Sequence, residues 1–337
     1  MSEETIEQSS RHSIYVQRYA GGLSNDYDPY QTNIINIVNS FLLASYDLDF
    51  RQFTSRLNNM QRQVELEYSS YFDYVTNDLQ EFSASESEWQ LEQTAIATEE
   101  EQEGLTPIIL SGIWGAVLAT PMVFESSNTV ITLNELFDSR VASQSKAIRD
   151  SINTSKVTNQ TLKQAQVAVT GKGGILSGKD KSKNRTTVST GTRHVAVNSR
   201  AEVAKKGEAI GYQWISVIDS RTSTICRSLS EKLFYFTDKY NPYPPAHPNC
   251  RSDVDFIYSR SDPIAKRETY YEFLKKQSVE FQDDVLGPTR GKLFRNGGLT
   301  PEQFSALNVD QLFRPITLQE MKEKNPTAFK KAKIDDP

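Results

Sequence analysis

The residues best suited to chemistry in this chain are Cys226, His247 and Cys250, which are both of its cysteines and one of its three histidines. A soft, tetrahedral metal such as zinc takes thiolate and imidazole ligands, and a Cys followed by a His-x2-Cys pair supplies three of the four it needs. Asp219 is a candidate for the fourth. The gap from Cys226 to His247 is wider than in common zinc fingers, and no CxxC pair is present. The same residues therefore also fit a plainer reading, in which the cysteines are small buried hydrophobes and His247 is a hydrogen-bonded loop residue. A Cys226–Cys250 disulfide is a third reading, opposed by the scarcity of cysteine and the lack of a secretion signal. Nucleophilic catalysis by a thiol with a histidine base is a fourth. Against it, Pro244, Pro245 and Pro248 crowd His247, and no Gly-rich elbow or helix start presents either thiol in activated form. Arg221 and Arg251 flank the group and can each anchor a carboxylate bidentately, folding the loop around it.

Short strands must hold these side chains. Tyr212, Trp214, Val217 and Ile218 read as one, Leu233 to Phe236 as a second, and Val254, Phe256 and Tyr258 alternate as a third. Strands this short do not make a stable sheet alone, so the Cys/His loop between them, with or without metal, acts as a clamp. A helix over Arg193 to Ile210 leads into the first strand.

The ordered set Trp214, Asp219-Ser220-Arg221-Thr222, Cys226, Leu229, Phe234 and Pro244-Pro245-x-His247-Pro248-x-Cys250-Arg251 resembles the head-morphogenesis domain of tailed phages, the Mu F-like minor head proteins. Thr192 to Glu202 is similar to the arginine-containing helix that precedes the core in that family. Phe281-Gln282, Val285 to Arg290 and Leu299 to Phe304 are similar to the tail that follows it, so the resemblance runs over about 135 to 325. Many relatives carry further cysteines where this chain has Thr224 and Asp253 in the vicinity, which leaves no all-cysteine metal shell here.

Composition is compatible with a soluble, rather polar protein, with 37% hydrophobic residues, 24% charged and a net charge of -5. A chain of 337 residues is long enough for about two or three cores. The polar start lacks the apolar stretch of a signal peptide. The most apolar run, Ile108 to Phe124, contains a proline and two glycines and falls short of the roughly 20 residues a spanning helix needs, so no membrane span is expected.

In chain order, the expected fold class is α+β and predominantly helical: an N-terminal helical region, a small mixed α/β core with short strands around the Cys/His loop, and a helical C-terminal tail. Residues 1–28 read as a flexible polar arm. Residues 29–104 read as helical, with a break at Asp47-Leu48-Asp49, a long helix ending near Phe82, and an acidic stretch from Asp78 to Glu103 without lysine or arginine that is a solvated helix face or spacer. Residues 105–192 form a second helical region, in which Thr132 and Glu135 make a capping box. It ends in a basic loop over Gly171 to Thr192, where Lys179, Lys181, Lys183 and Arg185 are tentative contacts for a nucleic-acid backbone. The core spans 193–260. The tail, 261–337, is cut into short helices, with capping at Thr300 and Thr317 and a lysine-rich end.

The resemblance implies a structural minor head protein of a tailed bacteriophage, not an enzyme. Its partners would be the portal and the major capsid or scaffolding proteins, with packaged DNA as a further contact. It would be made in the host cytoplasm and sit in the phage head, on the inner side or near the portal, with zinc in a structural role if a metal is held. The rival readings are an internal virion protein that binds DNA or leaves with it, and a metal-dependent hydrolase or toxin-like enzyme.

Overall fold

The computed structural model describes residues 3–98, 112–124, 127–217, 221–260, 270–301, 303–304 and 316–334. The chain is α+β and predominantly helical, with two small antiparallel sheets. Three helices open it: α1 (Glu3–Asn25), α2 (Asp28–Ser45) and α3 (Phe50–Thr98). The break between α2 and α3 falls where the Asp47-Leu48-Asp49 triplet places it. The Asp49 carboxylate accepts from the amides of Arg51 and Gln52, both at 3.0 Å, and so starts α3. With 49 residues α3 is about 73 Å long and forms the spine of the molecule.

A short helix, α4 (Ile113–Ala119), is followed by a hairpin of β1 (Met122–Phe124) and β2 (Thr129–Ile131). Among the described residues no helix is long and apolar enough to cross a membrane. Helix α5 (Leu133–Val157) begins at the Thr132–Glu135 capping box, and α6 (Leu162–Thr170) begins at a second one formed by Thr161 and Gln164. Helix α7 (Gly178–Lys206) then threads the centre of the bundle, packing on α1, α3, α4 and α5 and reaching the second sheet. Gly191 lets α5 approach it closely, since a methyl there would come within 2.9 Å of Leu133 and 3.1 Å of Phe137.

Three expectations are corrected here. The N-terminal arm is not flexible over its described part: α1 is helical and buries Val16, Ala20 and Leu23, which recur at helical spacing with Tyr27 just beyond. The long helix does not stop near Phe82 but continues to Thr98, because Leu91, Thr94 and Ala95 keep its inner face packed. The basic stretch is not a loop over 171–192: helix begins at Gly178, since Asp180, Asn184, Thr187 and Val188 face the bundle and find partners there.

The second sheet contains β3 (Gly211–Ile215) between β4 (Leu233–Tyr235) and β5 (Asp253–Ile257), both antiparallel to it. β3 ends at Ile215, short of Val217. Gly211 has no room for a side chain, since a Cβ would lie 2.3 Å from the Phe234 carbonyl. Helix α8 (Thr224–Leu229) fills the β3–β4 connection. The described tail comprises α9 (Tyr270–Lys275), α10 (Val279–Leu286), α11 (Pro288–Asn296), α12 (Leu318–Lys324) and α13 (Pro326–Lys331). These helices bury a core of their own, including Leu274, Leu293, Phe294, Met321 and Phe329.

Candidate metal centre

Cys226 sits in the first turn of α8, a helix start that was not expected from the sequence and that corrects the reading that none presents a thiol; its N-cap Ser223 accepts from the Cys226 amide at 3.2 Å. His247 and Cys250 lie in the loop that enters β5, where a turn bond joins the Cys250 amide to the His247 carbonyl at 3.2 Å. The structure brings the three side chains together. Cys226 Sγ is 3.1 Å from His247 Nε2 and 3.5 Å from Cys250 Sγ, and the three ligand atoms all lie within 4.8 Å of one another. In a tetrahedral shell, Zn–S bonds of about 2.3 Å and Zn–N bonds of about 2.0 Å put ligand atoms roughly 3.5–3.8 Å apart. The donor set and its spacing therefore fit a zinc ion. Both cysteines are free thiols, so the disulfide reading does not describe this state.

The electrostatics fit the same use. The Cys226 thiol is held well above its usual range by its hydrogen bond with Cys250 and by burial. Cys250 goes the other way: burial resists its ionisation, but the contacts with Cys226 and His247 outweigh burial and pull it well down. Burial also resists a charged His247, yet the Cys250 sulfur and the Pro248 carbonyl raise its pKa. Cys250 is thus the thiol that ionises first and offers a thiolate. His247 Nδ1 faces the Pro248 carbonyl at 2.9 Å, which leaves Nε2 turned toward the sulfurs.

Each ligand is fixed from behind. Trp214, wholly buried on β3, donates through Nε1 to Ser216 Oγ at 3.0 Å; that hydroxyl donates to the Cys226 carbonyl at 2.6 Å and lies 3.3 Å from Ser252 Oγ. Asn249, in a left-handed conformation at φ 58°, donates its amide to Thr190 Oγ1 of α7 at 2.7 Å. Tyr212, Ile225, Leu229, Phe234 and Val254 pack around the two sulfurs and Trp214.

Other expected site residues fall elsewhere. Asp219 lies outside the described residues. Arg221 is exposed and Arg251 half-buried, and the positive charge of Arg251 opposes protonation of His247. Lys179, Lys181, Lys183 and Arg185 are all exposed on the first turns of α7. At about 100° per residue, Lys179 and Lys183 share one flank and Lys181 and Arg185 the other, with buried Asp180 and Asn184 between them. Lys181 pairs with Asp28 at 2.7 Å.

Sequence reasoning missed the ionic clamp beside the site. Asp253, three positions after Cys250, binds Arg193 at 2.8 Å and also Arg200; Arg200 binds Glu86 of α3 at 3.2 Å, and Glu86 meets His12 of α1 at 2.9 Å. All four charged groups are buried, and two cations balance two carboxylates. Burial works against a charged Asp253, but the two guanidiniums overcome it and hold the acid down at about 2. The one signal in the sequence was the spacing of Arg193 and Arg200, seven apart and so on one helix face.

Residues 143–255 match a family model described as Phage Mu protein F like protein, about a third of the chain. Over this stretch the chain is similar to the phage Mu F-like family. The Mu F-like segment runs from within α5 to β5 and contains the whole Cys226–His247–Cys250 group, both clamp arginines and Asp253. The match relates the chain to phage heads. No curated protein and no solved structure matches the chain.

Proposed function

We propose that this chain is a structural minor head protein of a tailed bacteriophage, acting with the portal and with the major capsid or scaffolding protein during head assembly and catalysing no reaction. One observation carries the reading: the stretch matched to the Mu F-like family is the stretch that folds around the Cys/His group and the Arg–Asp clamp. Bound there, zinc would supply a tetrahedral cross-link between α8 and the β5 loop. The chain's own residues do the rest. Ser216, Ser223 and Thr190 orient the ligand-bearing backbone, and the aromatic and aliphatic side chains of the small core exclude water.

Support for a role without turnover comes from the burial of both sulfurs under that core, since a nucleophile or a hydrolytic metal needs an open face toward substrate. The exposed carboxylates of α3, Glu81, Glu88 and Glu92, repel a DNA backbone and suit a basic protein surface. Quantitative mass spectrometry of assembly intermediates and finished particles, with cross-linking, tests the proposal. The chain is expected in the head fraction, cross-linked to portal or capsid protein; heads that lack it at every stage of assembly would remove the proposal.

The exposed cations at the start of α7 favour a second reading, an internal head protein that touches packaged DNA. It requires DNA retention that weakens with salt and is lost when Lys179, Lys181, Lys183 and Arg185 are all replaced by glutamine.

A further inference from the structure

The two sulfurs of the metal group face each other at 3.5 Å, and Cys226 and Cys250 each belong to a different arm of the module, α8 and the entry to β5. The chain has no other cysteine that either could pair with. Cys226 and Cys250 are each 3% exposed, which shuts out a bulky disulfide, and His247 beside them is half-buried. We propose that this site is a redox-interchangeable lock, held by a soft divalent metal in the reducing cell and closed as a Cys226–Cys250 disulfide by peroxide once the protein is outside it. The proposal rests on the metal-centre and head-protein reading and deepens it.

The chemistry balances without a further reagent. One sulfur, as thiolate, attacks a peroxide oxygen, the O–O bond breaks, and hydroxide leaves to give a sulfenic acid. The other thiol attacks that sulfur, forming the S–S bond and expelling the hydroxyl as water after it takes up the thiol proton. Peroxide is reduced by two electrons to two waters, and the thiol pair is oxidised by the same two. Metal and disulfide use the same two atoms, so each state excludes the other. In both states the same two arms stay joined, and a particle assembled in a reducing cytoplasm keeps its module closed after release into oxidising surroundings.

The test uses the full chain in zinc-loaded and chelator-treated forms, each exposed to hydrogen peroxide and followed by intact mass, zinc release and thermal unfolding. The chelated chain should lose about 2 Da as one internal disulfide forms. Zinc should slow that loss about tenfold or more, and the oxidised chain should take up no zinc yet unfold at a higher temperature than the reduced, metal-free chain. C226S and C250S should each gain oxygen instead of losing 2 Da. Oxygen addition in the wild type, disulfide-linked dimers, or an oxidised chain that melts below the reduced one would each overturn the proposal. Failure to take up zinc while the internal disulfide still forms counts against the metal reading alone; zinc uptake without disulfide formation counts against the interchange alone.

Discussion

His194 is the residue whose ionisation is most tightly specified outside the metal group. Its Nε2 faces the Val117 carbonyl at 3.1 Å and its Nδ1 receives the Asn198 side-chain amide at 3.0 Å, so the ring is neutral with the proton on Nε2. Burial without a compensating carboxylate lowers its pKa to about 4. The folded value lies below the unfolded value of about 6.5, so the stabilisation is complete above that pH and is lost as pH falls toward 4. The loss should reach about 3 kcal/mol in urea unfolding followed across that window, and H194Q should flatten this limb whatever it costs at neutral pH. A second acid loss, below about 4 and toward 2, belongs to Asp253, whose carboxylate is likewise held down when folded. The reactive group itself was legible, because two cysteines and a histidine in one proline-rich loop are rare residues in a polar chain. The groups that position it were not. Thr190, Ser216 and Ser252 are ordinary polar residues until the fold shows what their hydroxyls touch.

Helix α7 is where sequence reasoning and structure diverge most, and the reason is chemical. Its inward positions include Asp180, Asn184, Arg193, His194, Asn198 and Arg200, so no apolar stripe marks the buried face. The partners lie far away in the chain. Asp180 accepts from Tyr27 at 2.7 Å, Gln31 at 3.0 Å and Tyr68 at 3.1 Å, and pairs with Arg140. Periodicity finds helices that bury hydrocarbon, and a helix that buries hydrogen-bonded charge escapes it. By contrast β4 and β5 were visible within a residue, and β3 was visible but read past its end at Ile215 to Ile218, because aromatic and β-branched residues alternate there; the α5 and α12 starts were visible as capping boxes. Two predictions belong to α7. D253N leaves Arg193 and Arg200 buried with one carboxylate too few, and chemical denaturation should show a loss of about 3–5 kcal/mol. For DNA, the helix splits its cations into two flanks, so a K179Q/K183Q pair should reduce the salt dependence of any binding by about two phosphate contacts, and K181Q/R185Q by a similar amount; a single flank carrying all of it would contradict the geometry.

At the scale of the whole molecule, the described residues bury three apolar clusters: the helical bundle, the Mu F-like sheet with its Cys/His group, and the C-terminal helices. The bundle and the sheet are joined by polar links, the Arg–Asp–Glu clamp and the Thr190–Asn249 bond, together with the packing of α7 on β5. A metal held by Cys226, His247 and Cys250, as proposed, would keep the sheet module closed. The overall α+β, mainly helical character was readable from composition and period, whereas α1 was mistaken for a free arm because its polar first turns hide the residues that dock it. The most direct measurement is the metal content of the freshly purified full chain by elemental analysis, paired with its thermal unfolding before and after chelation. The account predicts one zinc ion per chain, a lower unfolding temperature on its removal, and neither zinc nor chelator response in C226S. A metal-free wild type that unfolds at the same temperature as C226S would contradict it.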